Sequence, residues 1–332
     1  MRVHACLRIH GRLTQAAIHP QSDYSTQMIG EGCMSTDLQI DALLPAAMAT
    51  KAEEIGVRKA NMNWVDMFAL SVLAGAFIAI GAIFATSVSA GAFVSTGPDA
   101  AVMFSTTMPT AIPRLLAGLA FSLGLILVVV GGAELFTGNN LIVMAWANHK
   151  VNTWLLLKNW GIVYVGNFVG ALGTAGIMFL TRQYTFSGGA IGLQALNTAN
   201  TKSGLDFVQA IALGAMCNAL VCLAVWLTYS ARTTTDKIMA IIPPITAFVA
   251  AGFEHSVANM YFIPIGMLIK IGAAPAFWES IHKTPADYPN LTLQGFLFNN
   301  LLPVTIGNII GGALMVGVVY WFIYLRHTHK PT

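Results

Sequence analysis

The chain has 332 residues, of which 56% are hydrophobic and 9% are charged, and its formal net charge at pH 7 is +3. Soluble domains carry about 25% charged residues, so this composition excludes a soluble globular protein and indicates an integral membrane protein. The small net charge gives no support to a nucleic-acid partner.

The beginning of the chain differs in composition from the rest. Residues 1–40 are polar and contain no apolar core of signal-peptide length. The composition changes at Met34, so we expect residues 1–33 to be an upstream translated extension. The alternative is that they form a disordered tail of the native protein. In both interpretations residues 1–40 form a disordered or non-native extension outside the folded protein.

A short amphipathic helix is predicted at 45–60, within a cytoplasmic N-terminal segment at 41–62. Its apolar stripe is suited to lie on the membrane or against a neighbouring subunit, and the alternative is a simple lead-in helix. Because this helix directly precedes the first span, it is also placed to fold over a pore mouth.

Long apolar segments follow, each sufficient for the ~20 residues that a transmembrane helix needs. They lie at 64–90, 112–147, 155–180, 205–230, 238–270 and 296–325. The second and the fifth are too long for one straight span, and they contain Gly132 and Gly252 near their middles. We predict that each is two half-helices joined by a non-helical stretch that protein buries or that lines a cavity. The alternative is a set of ordinary kinked helices.

Two motifs occur twice, once in each half of the chain. The frame G-x-E-x-x-x-x-N covers 132–139 and again 252–259, and a frame N-x7-N-x2-G begins at Asn159 and again at Asn300. A duplicated unit of three spans must insert in opposite orientations, because three is odd. The predicted fold is therefore an all-α integral membrane protein of six transmembrane helices in a 3+3 inverted repeat, with the second and fifth helices broken.

The distribution of Lys and Arg predicts how this fold lies in the membrane. These residues are more frequent in the segments on the side of both termini, so the positive-inside rule places the N- and C-termini in the cytoplasm. We bound the six-helix channel domain at 63–326 and a cytoplasmic C-terminal tail at 327–332.

Ionisable side chains inside the spans are few, and each is a functional candidate because a charge in the bilayer is costly. His255 lies in the second predicted break, and histidine exchanges protons near neutral pH. Thr137 lies in the first break and offers a hydroxyl donor to an anion. For Glu134 and Glu254 we favour a structural role, in which each carboxylate caps backbone N–H groups freed at its break.

Amide and apolar side chains near the breaks complete the candidate pore. Asn218 and Asn308 lie in apolar helices and are expected to line it, and the alternative is hydrogen bonding between helices. Four apolar residues flank the breaks and are candidates for constrictions on each side, although each is also explained as ordinary core. They are Phe121, Leu125, Leu135 and Phe248.

Motifs for other kinds of chemistry were not found in the sequence. It has no Walker A, G-x-S-x-G or H-E-x-x-H pattern, and the spacing of its four cysteines suggests neither a metal site nor a disulfide framework. We therefore expect neither an enzyme nor a protein with a cofactor or metal. A membrane enzyme that uses His255 and Glu254 as an acid–base pair is the alternative from a different class.

Several long motifs of the chain resemble the formate/nitrite transporter family. They lie at 134–139, 158–160, 166–170, 218–226, 252–260 and 300–311. The resemblance runs from about residue 40 to residue 326. The lead-in at 43–49 and the close at 320–326 are most similar to the bacterial formate channels.

The resemblance implies an aquaporin-like protomer and a homopentamer with one pore per subunit, embedded in the lipid bilayer of the bacterial inner membrane. Formate and related small monovalent anions would be its substrates. The cytoplasmic formate-producing enzyme pyruvate formate-lyase would be a partner.

The resemblance also implies roles for individual residues. His255 and Thr137 would form the central polar site, with Asn218 and Asn308 near it, and the four apolar residues named above would form two hydrophobic slits. Lys202 resembles a basic residue that attracts anions at the periplasmic entrance. We therefore expect a passive or proton-coupled formate channel in which the central histidine protonates the anion between the slits.

One departure from the family pattern leaves an alternative substrate open. The segment 137–140 differs from some formate channels, and Gly138 is closer to the nitrite branch of the family. A nitrite or hydrosulfide channel on the same scaffold is therefore the alternative function.

Removing residues 1–33 is expected to leave transport intact, because nothing in them resembles a channel. Removing residues 34–60 as well is expected to change the pH response of efflux, because this stretch contains charged side chains whose contacts depend on pH and salt. Efflux from vesicles at several pH values measures both effects. Loss of transport after the first truncation, or an unchanged pH profile after the second, would contradict these expectations.

Overall fold

The computed structural model describes most of the predicted channel domain. The described residues are 42–90, 94–96, 102–105 and 111–327. The expected extension at 1–40 lies outside them, as does all of the expected tail except His327.

Helices dominate the described chain. The first half contains α1 (Pro45–Ala60), α2 (Trp64–Ser89), α3 (Ala111–Gly131), α4 (Phe136–Asn139), α5 (Val143–Ala147) and α6 (Thr153–Leu180). The second half contains α7 (Ala190–Ser203), α8 (Phe207–Ser230), α9 (Thr234–Ala251), α10 (Ser256–Gly272), α11 (Pro275–Ser280), α12 (Leu302–Ile309) and α13 (Val319–Tyr324).

Shorter elements complete the fold. One turn of 3₁₀ helix joins α4 to α5, and π-helical turns precede and follow α12, so that the last span is continuous over Gly295–Tyr324. A small antiparallel hairpin of β1 (Val94–Thr96) and β2 (Val102–Ser105) lies between α2 and α3.

The prediction of six spans, of which the second and fifth are broken, is confirmed in the described residues. Five single helices are long and apolar enough to cross a membrane, and α9 with α10 makes a sixth crossing that bends by 51° at its break. Helix α3 ends at Gly131, and the second span resumes at α4 after four residues that are not helical. The predicted amphipathic helix at 45–60 is α1.

Glycines end the first half-helix of each broken span. Gly132 has φ +80° and Gly252 has φ +76°, a left-handed conformation that residues with a Cβ rarely adopt. A left-handed glycine just past the last turn is a common way to end a helix and turn the chain. The two breaks are thus encoded locally, at equivalent positions of the repeated motif.

Two helix pairs approach until their backbones touch, and glycine makes this possible. A Cβ on Gly170 of α6 would lie 2.0 Å from the carbonyl oxygen of Val72 in α2. A Cβ on Gly311, in the last span, would lie 2.0 Å from the carbonyl oxygen of Ala215 in α8. Packing through small residues is the usual means of association between membrane helices, and here it fixes the helices that carry the repeated asparagines.

Helix α1 packs one face on its own chain, and its predicted contact with the membrane or a neighbouring subunit stays a prediction. Ala49 and Ala52 are buried in a cluster with Leu141 and Met144. The small side chains of α1 let it lie close to the second half of the broken span.

An ion pair between a buried carboxylate and a partly exposed lysine also holds α1 in place. The carboxylate of Glu53 accepts a hydrogen bond from the Lys150 ammonium at 2.6 Å and another from the Asn148 amide. Because removing one partner of a buried pair leaves an uncompensated charge, this contact ties α1 to the segment before α6.

Substitution of Gly170 by Ala is expected to destabilise the folded protein, because the added Cβ meets backbone that cannot move aside. Overpacking of this kind costs about 1–3 kcal/mol or more. Gly173→Ala is the matched control on the same helix, since a Cβ there meets nothing within 4 Å. Thermal unfolding of the two variants in detergent gives the comparison, and equal midpoints would contradict the close approach of α2 and α6.

Candidate functional site

Asn167 holds the first break together. It is fully buried on α6, and its side-chain oxygen accepts the N–H of Phe136, the first residue of α4, at 2.9 Å. Its amide nitrogen donates to the carbonyl oxygens of Ser71 at 2.8 Å and of Glu134 at 2.9 Å. One side chain therefore satisfies two backbone groups of the break that lipid would leave unpaired, and it ties them to a carbonyl oxygen of α2.

Asn308 does the same at the second break. Its side-chain oxygen accepts the N–H of Ser256 at 2.9 Å, and its nitrogen donates to the carbonyl oxygens of Gly214 at 2.8 Å and Glu254 at 3.0 Å. The two sets of contacts match residue for residue across the repeat, which is what the inverted duplication predicts.

A four-residue polar cluster surrounds the carboxylate of Glu134. The Lys59 ammonium donates to it at 2.8 Å and to the side-chain oxygen of Asn139 at 2.9 Å. The Asn139 amide donates to the other carboxylate oxygen at 2.7 Å and to Asn159 at 2.9 Å. The Asn159 amide closes the ring on the carbonyl oxygen of Lys59 at 3.1 Å.

The equivalent cluster surrounds Glu254. Lys202 donates to its carboxylate at 2.7 Å, and the Asn259 amide donates to the second oxygen at 2.7 Å. Asn259 also donates to Asn300 at 2.7 Å, and Asn300 donates to the carbonyl oxygen of Lys202 at 2.9 Å. Both clusters neutralise a buried carboxylate with one ammonium and fix it through the amide of an asparagine, Asn139 or Asn259, which a second asparagine holds in place.

These contacts correct the predicted capping role of Glu134 and Glu254. In the described residues their carboxylates accept hydrogen bonds from side chains. The N–H groups of Phe136 and Ser256 at the breaks donate instead to Asn167 and Asn308. The amide is better suited to that place, because it satisfies a donor and two acceptors at once without bringing a charge.

The sequence analysis missed Lys59 as a partner of Glu134 because the two residues are far apart in the chain. The sequence nevertheless contains a signal for this pair, namely the equivalent positions of Lys59 and Lys202 in the repeat. Lys59 lies four residues before Asn63 and Lys202 lies four residues before Asp206, and these two residues are the N-caps of α2 and α8. The duplicated unit therefore includes a short helix with a terminal lysine, α1 in one half and α7 in the other.

His255 and Thr137 meet between the two breaks. The Nε2 atom of His255 lies 3.0 Å from the hydroxyl oxygen of Thr137, and both residues are buried. The other ring nitrogen, Nδ1, accepts the N–H of Ala258 at 3.1 Å as the N-cap of α10. Since Nδ1 accepts, the neutral ring carries its hydrogen on Nε2 and donates it to Thr137. The hydroxyl hydrogen of Thr137 is then available for another acceptor.

Asn218 ties the same region together from α8. Its amide nitrogen lies within hydrogen-bond distance of the carbonyl oxygens of Thr137 at 3.3 Å and Asn308 at 2.7 Å, and of the side-chain oxygen of Asn140 at 2.9 Å. Among the described residues, neither Asn218 nor Asn308 is on the wall of the two cavities described next. Their geometry favours the alternative considered for them, hydrogen bonding between helices, since their amides are occupied by protein groups.

Two cavities enter the protein from opposite sides of the central pair. The Lys59 cavity has a volume of about 260 Å³, and its wall includes Lys59, Leu125 and Leu135. The Lys202 cavity has a volume of about 580 Å³, and its wall includes Lys202 and His255. Each cavity carries one of the two lysine–glutamate clusters.

Aromatic rings close the inner end of the Lys202 cavity. The rings of Phe121 and Phe248 meet edge to face with their centroids 5.6 Å apart, and the Phe248 ring stacks on His255 at 6.0 Å. Leu125 and Leu135 take the corresponding place in the Lys59 cavity, and both are buried. The four residues proposed as constrictions thus divide into one pair on each side of the polar centre.

No cluster of three or more His, Cys, Asp or Glu side chains able to hold a metal is found within residues 42–90 and 111–327. The polar centre offers hydrogen-bond donors and one ring that can take up a proton. This arrangement suits the binding of a small anion.

Comparison with known proteins gives concordant matches. The family model described as formate/nitrite transporter matches residues 46–322. The formate channel FocA of Escherichia coli (strain K12) is 46% identical over 293 residues, which are 88% of this chain and 98% of the relative. The formate channel FocA of Haemophilus influenzae is 40% identical, over 87% of this chain and 96% of the relative.

Two solved structures share the fold. A structure described as a pentameric formate channel with formate bound has a TM-score of 0.72 and 45% identity, and the match covers 79% of this chain and 98% of that one. A structure described as an FNT family ion channel has a TM-score of 0.66 and 25% identity, with 83% and 98% covered. These likenesses confirm the six-helix fold with broken second and fifth helices.

Replacement of Asn308 by Leu is expected to prevent stable folding, because it leaves the Ser256 N–H and the Glu254 carbonyl oxygen without this partner at the break and removes the link to Gly214. Each such group costs about 1–3 kcal/mol. Asn197→Leu is the control, since Asn197 is exposed and makes no described side-chain hydrogen bond. The yield and thermal midpoint of the monodisperse protein in detergent are measured, and an Asn308→Leu protein as stable as the control would contradict the assigned role.

Proposed function

We propose, because this chain belongs to the formate/nitrite transporter family, that it forms a homopentameric channel that passes formate across the bacterial inner membrane. The relatives described above are named formate channels, and one solved relative is named as pentameric with formate bound. The family consists of transporters, not enzymes, which agrees with the expectation from the sequence. The observation that carries the proposal is the His255–Thr137 pair, placed between two cavities that enter from opposite sides.

The positive-inside rule supports an orientation in which the Lys59 cavity faces the cytoplasm and the Lys202 cavity faces the periplasm. Lys51 and Lys237 lie on the wall of the Lys59 cavity, beside the cationic Arg232. Helix α1 is then cytoplasmic, and the partner expected from the family resemblance, pyruvate formate-lyase, would meet this face.

Lys202 supports attraction of the anion into the other cavity. Its side chain retains 16% exposure while paired with Glu254, so the ammonium still faces the cavity with N–H groups to spare. The N-terminus of α10 begins directly after His255 and adds its positive dipole end at the same place. Both effects favour a monovalent anion at the inner end of this cavity.

The apolar pairs on either side are the barrier that the polar centre must overcome. A bare carboxylate loses its hydration between such side chains at a cost of many kcal/mol, whereas the neutral acid does not. The Thr137 hydroxyl supplies a hydrogen bond to formate. When Nδ1 of His255 takes a proton from water in the Lys202 cavity, the resulting imidazolium gives its Nε2 proton to formate, which yields formic acid and a neutral ring. The neutral acid then crosses the apolar pair.

The geometry of His255 shows what this proton relay requires. Transfer from Nε2 leaves a neutral ring only if Nδ1 has gained a proton, and a protonated Nδ1 cannot accept the N–H of Ala258. Loss of that N-cap bond costs about 1 kcal/mol, which is small beside the cost of an unprotonated anion. If formate passes as an anion, stabilised by hydrogen bonds without proton transfer, the N-cap bond to Ala258 stays intact. Passage with and without proton transfer can therefore be distinguished by experiment.

His255→Asn is expected to abolish proton-coupled formate uptake, because Asn keeps a side-chain oxygen for the Ala258 N–H but has no proton to transfer. Acid–base groups typically contribute about 10²–10⁴-fold, so we expect at least a 100-fold loss. Proteoliposomes with an internal pH dye and labelled formate measure protons and formate together. Thr137→Ser keeps the hydroxyl and serves as the control.

The possible outcomes separate the parts of the proposal. Unchanged proton-coupled uptake in His255→Asn would exclude the relay while leaving a formate channel. Absence of formate flux through the unmodified protein would exclude the formate channel itself.

Nitrite or hydrosulfide passage is the second candidate, favoured by the glycine next to Thr137. Gly138 lies on the wall of the Lys59 cavity and leaves its nearest neighbour, Val225, 3.6 Å from where a Cβ would be. The missing side chain widens the approach to the centre without adding a donor selective for a carboxylate. Competition of nitrite and hydrosulfide with labelled formate uptake ranks the three anions.

A further inference from the structure

The mouth of the Lys59 cavity carries cations that no described carboxylate neutralises. Lys51 of α1 and Lys237 of α9 both line the cavity. Lys51 donates to the carbonyl oxygen of Tyr229 at 2.8 Å, and the Lys237 ammonium has no hydrogen-bond or ion-pair partner in the part of the chain that the structure describes. The positive charges therefore remain available to a ligand.

The carboxylates nearby are already occupied or, like the exposed Glu54 of α1, lie off the cavity wall. Glu134 is the one acidic residue among the described residues of the cavity wall, and Lys59 and Asn139 hold its two oxygens. Glu53 of α1 is buried against Lys150. Asp236 of α9 accepts the backbone N–H groups of its own helix start.

The mutual repulsion of these cations is visible at Lys51. Burial lowers the pKa of its ammonium below the usual value, and the positive charges of Arg232, Lys237 and Arg58 lower it further. A cluster of like charges at the rim of a cavity concentrates anions there. A divalent anion neutralises two of these positive charges at once, which a monovalent one cannot do.

The size of the cavity also exceeds what formate needs. Pockets for drug-sized ligands begin at about 300 Å³, and this one has about 260 Å³ for an anion of three heavy atoms. Leu125 and Leu135 on its wall are buried apolar side chains. A divalent anion cannot shed its hydration to pass them, so it would stay at the mouth.

We propose that the Lys59 cavity contains an inhibitory site for a small divalent oxyanion, held between Lys51 and Lys237, that blocks the path of formate from this side. The bound anion links α1 to α9 and fills the cavity below the apolar pair. The inhibitory effect rests on the proposed function, whereas binding of the anion does not depend on it.

Binding and inhibition are tested on the full-length protein with inorganic phosphate at pH 8, where the dianion predominates. Calorimetry in detergent measures binding, and labelled formate flux in proteoliposomes measures inhibition, with phosphate added to each face separately and chloride at equal ionic strength as reference. Succinate is the second divalent probe, and acetate is the monovalent one.

We expect phosphate or succinate on the Lys59 side to inhibit more strongly than acetate or chloride. Lys237→Gln and Lys51→Gln should each raise the half-inhibitory concentration at least tenfold, with flux expressed relative to the same variant without the anion. Lys283→Gln, which removes an exposed lysine distant from this cavity, should leave it unchanged. Inhibition seen with only one of the two dianions identifies the source of the charge, phosphate or dicarboxylate.

The proposal is overturned if phosphate and succinate inhibit no more than chloride, if acetate inhibits equally, or if the Lys51 and Lys237 variants respond like the unmodified protein. If formate flux is absent altogether, calorimetry still shows whether the dianion binds to the cavity. Binding of a dianion that is lost in Lys237→Gln would support the site even though the proposed formate channel had failed.

Discussion

Irregular backbone at membrane depth is the constraint on which this structure depends. Lipid offers no hydrogen bonds, so each broken helix must find partners for its freed backbone groups within the protein. Asn167 and Asn308 provide them, each with two hydrogen bonds to a break and a third to a carbonyl oxygen of a neighbouring helix. The glycine contacts that bring neighbouring helices to backbone distance are what place these amides within reach.

The two polar clusters solve a second problem in the same way. A glutamate beside each break is buried, and a buried carboxylate is tolerated only when it is paired and hydrogen-bonded. Lys59 and Lys202 supply the charge from the short helices that begin each repeat. These lysines also face the two cavities, so the groups that stabilise the breaks place an ammonium, paired with its glutamate, on each approach to the centre.

The proposed transport function depends on residues at which the two halves of the repeat differ. The contacts of Asn167 and Asn308 make Phe136 equivalent to Ser256, so Leu135 of one break corresponds to His255 of the other. Thr137 then corresponds to an apolar valine at the equivalent position. One half contributes the imidazole and the other the hydroxyl, and their meeting gives a polar centre that two identical halves would not provide. The proposed formate channel relies on this asymmetric centre between its apolar pairs.

The sequence by itself determined the membrane class, the six spans, the two breaks and the duplication, because these depend on local properties: apolar length, glycine at a helix end and a repeated motif. It also indicated His255 and Thr137, since both lie in breaks. Only the tertiary structure decided that Glu134 pairs with Lys59, that Asn218 ties helices together, and that Nδ1 of His255 is an acceptor. These features are contacts between residues that are distant in the chain. They depend on how the close-packed helices cross, and the local sequence around each residue does not determine them.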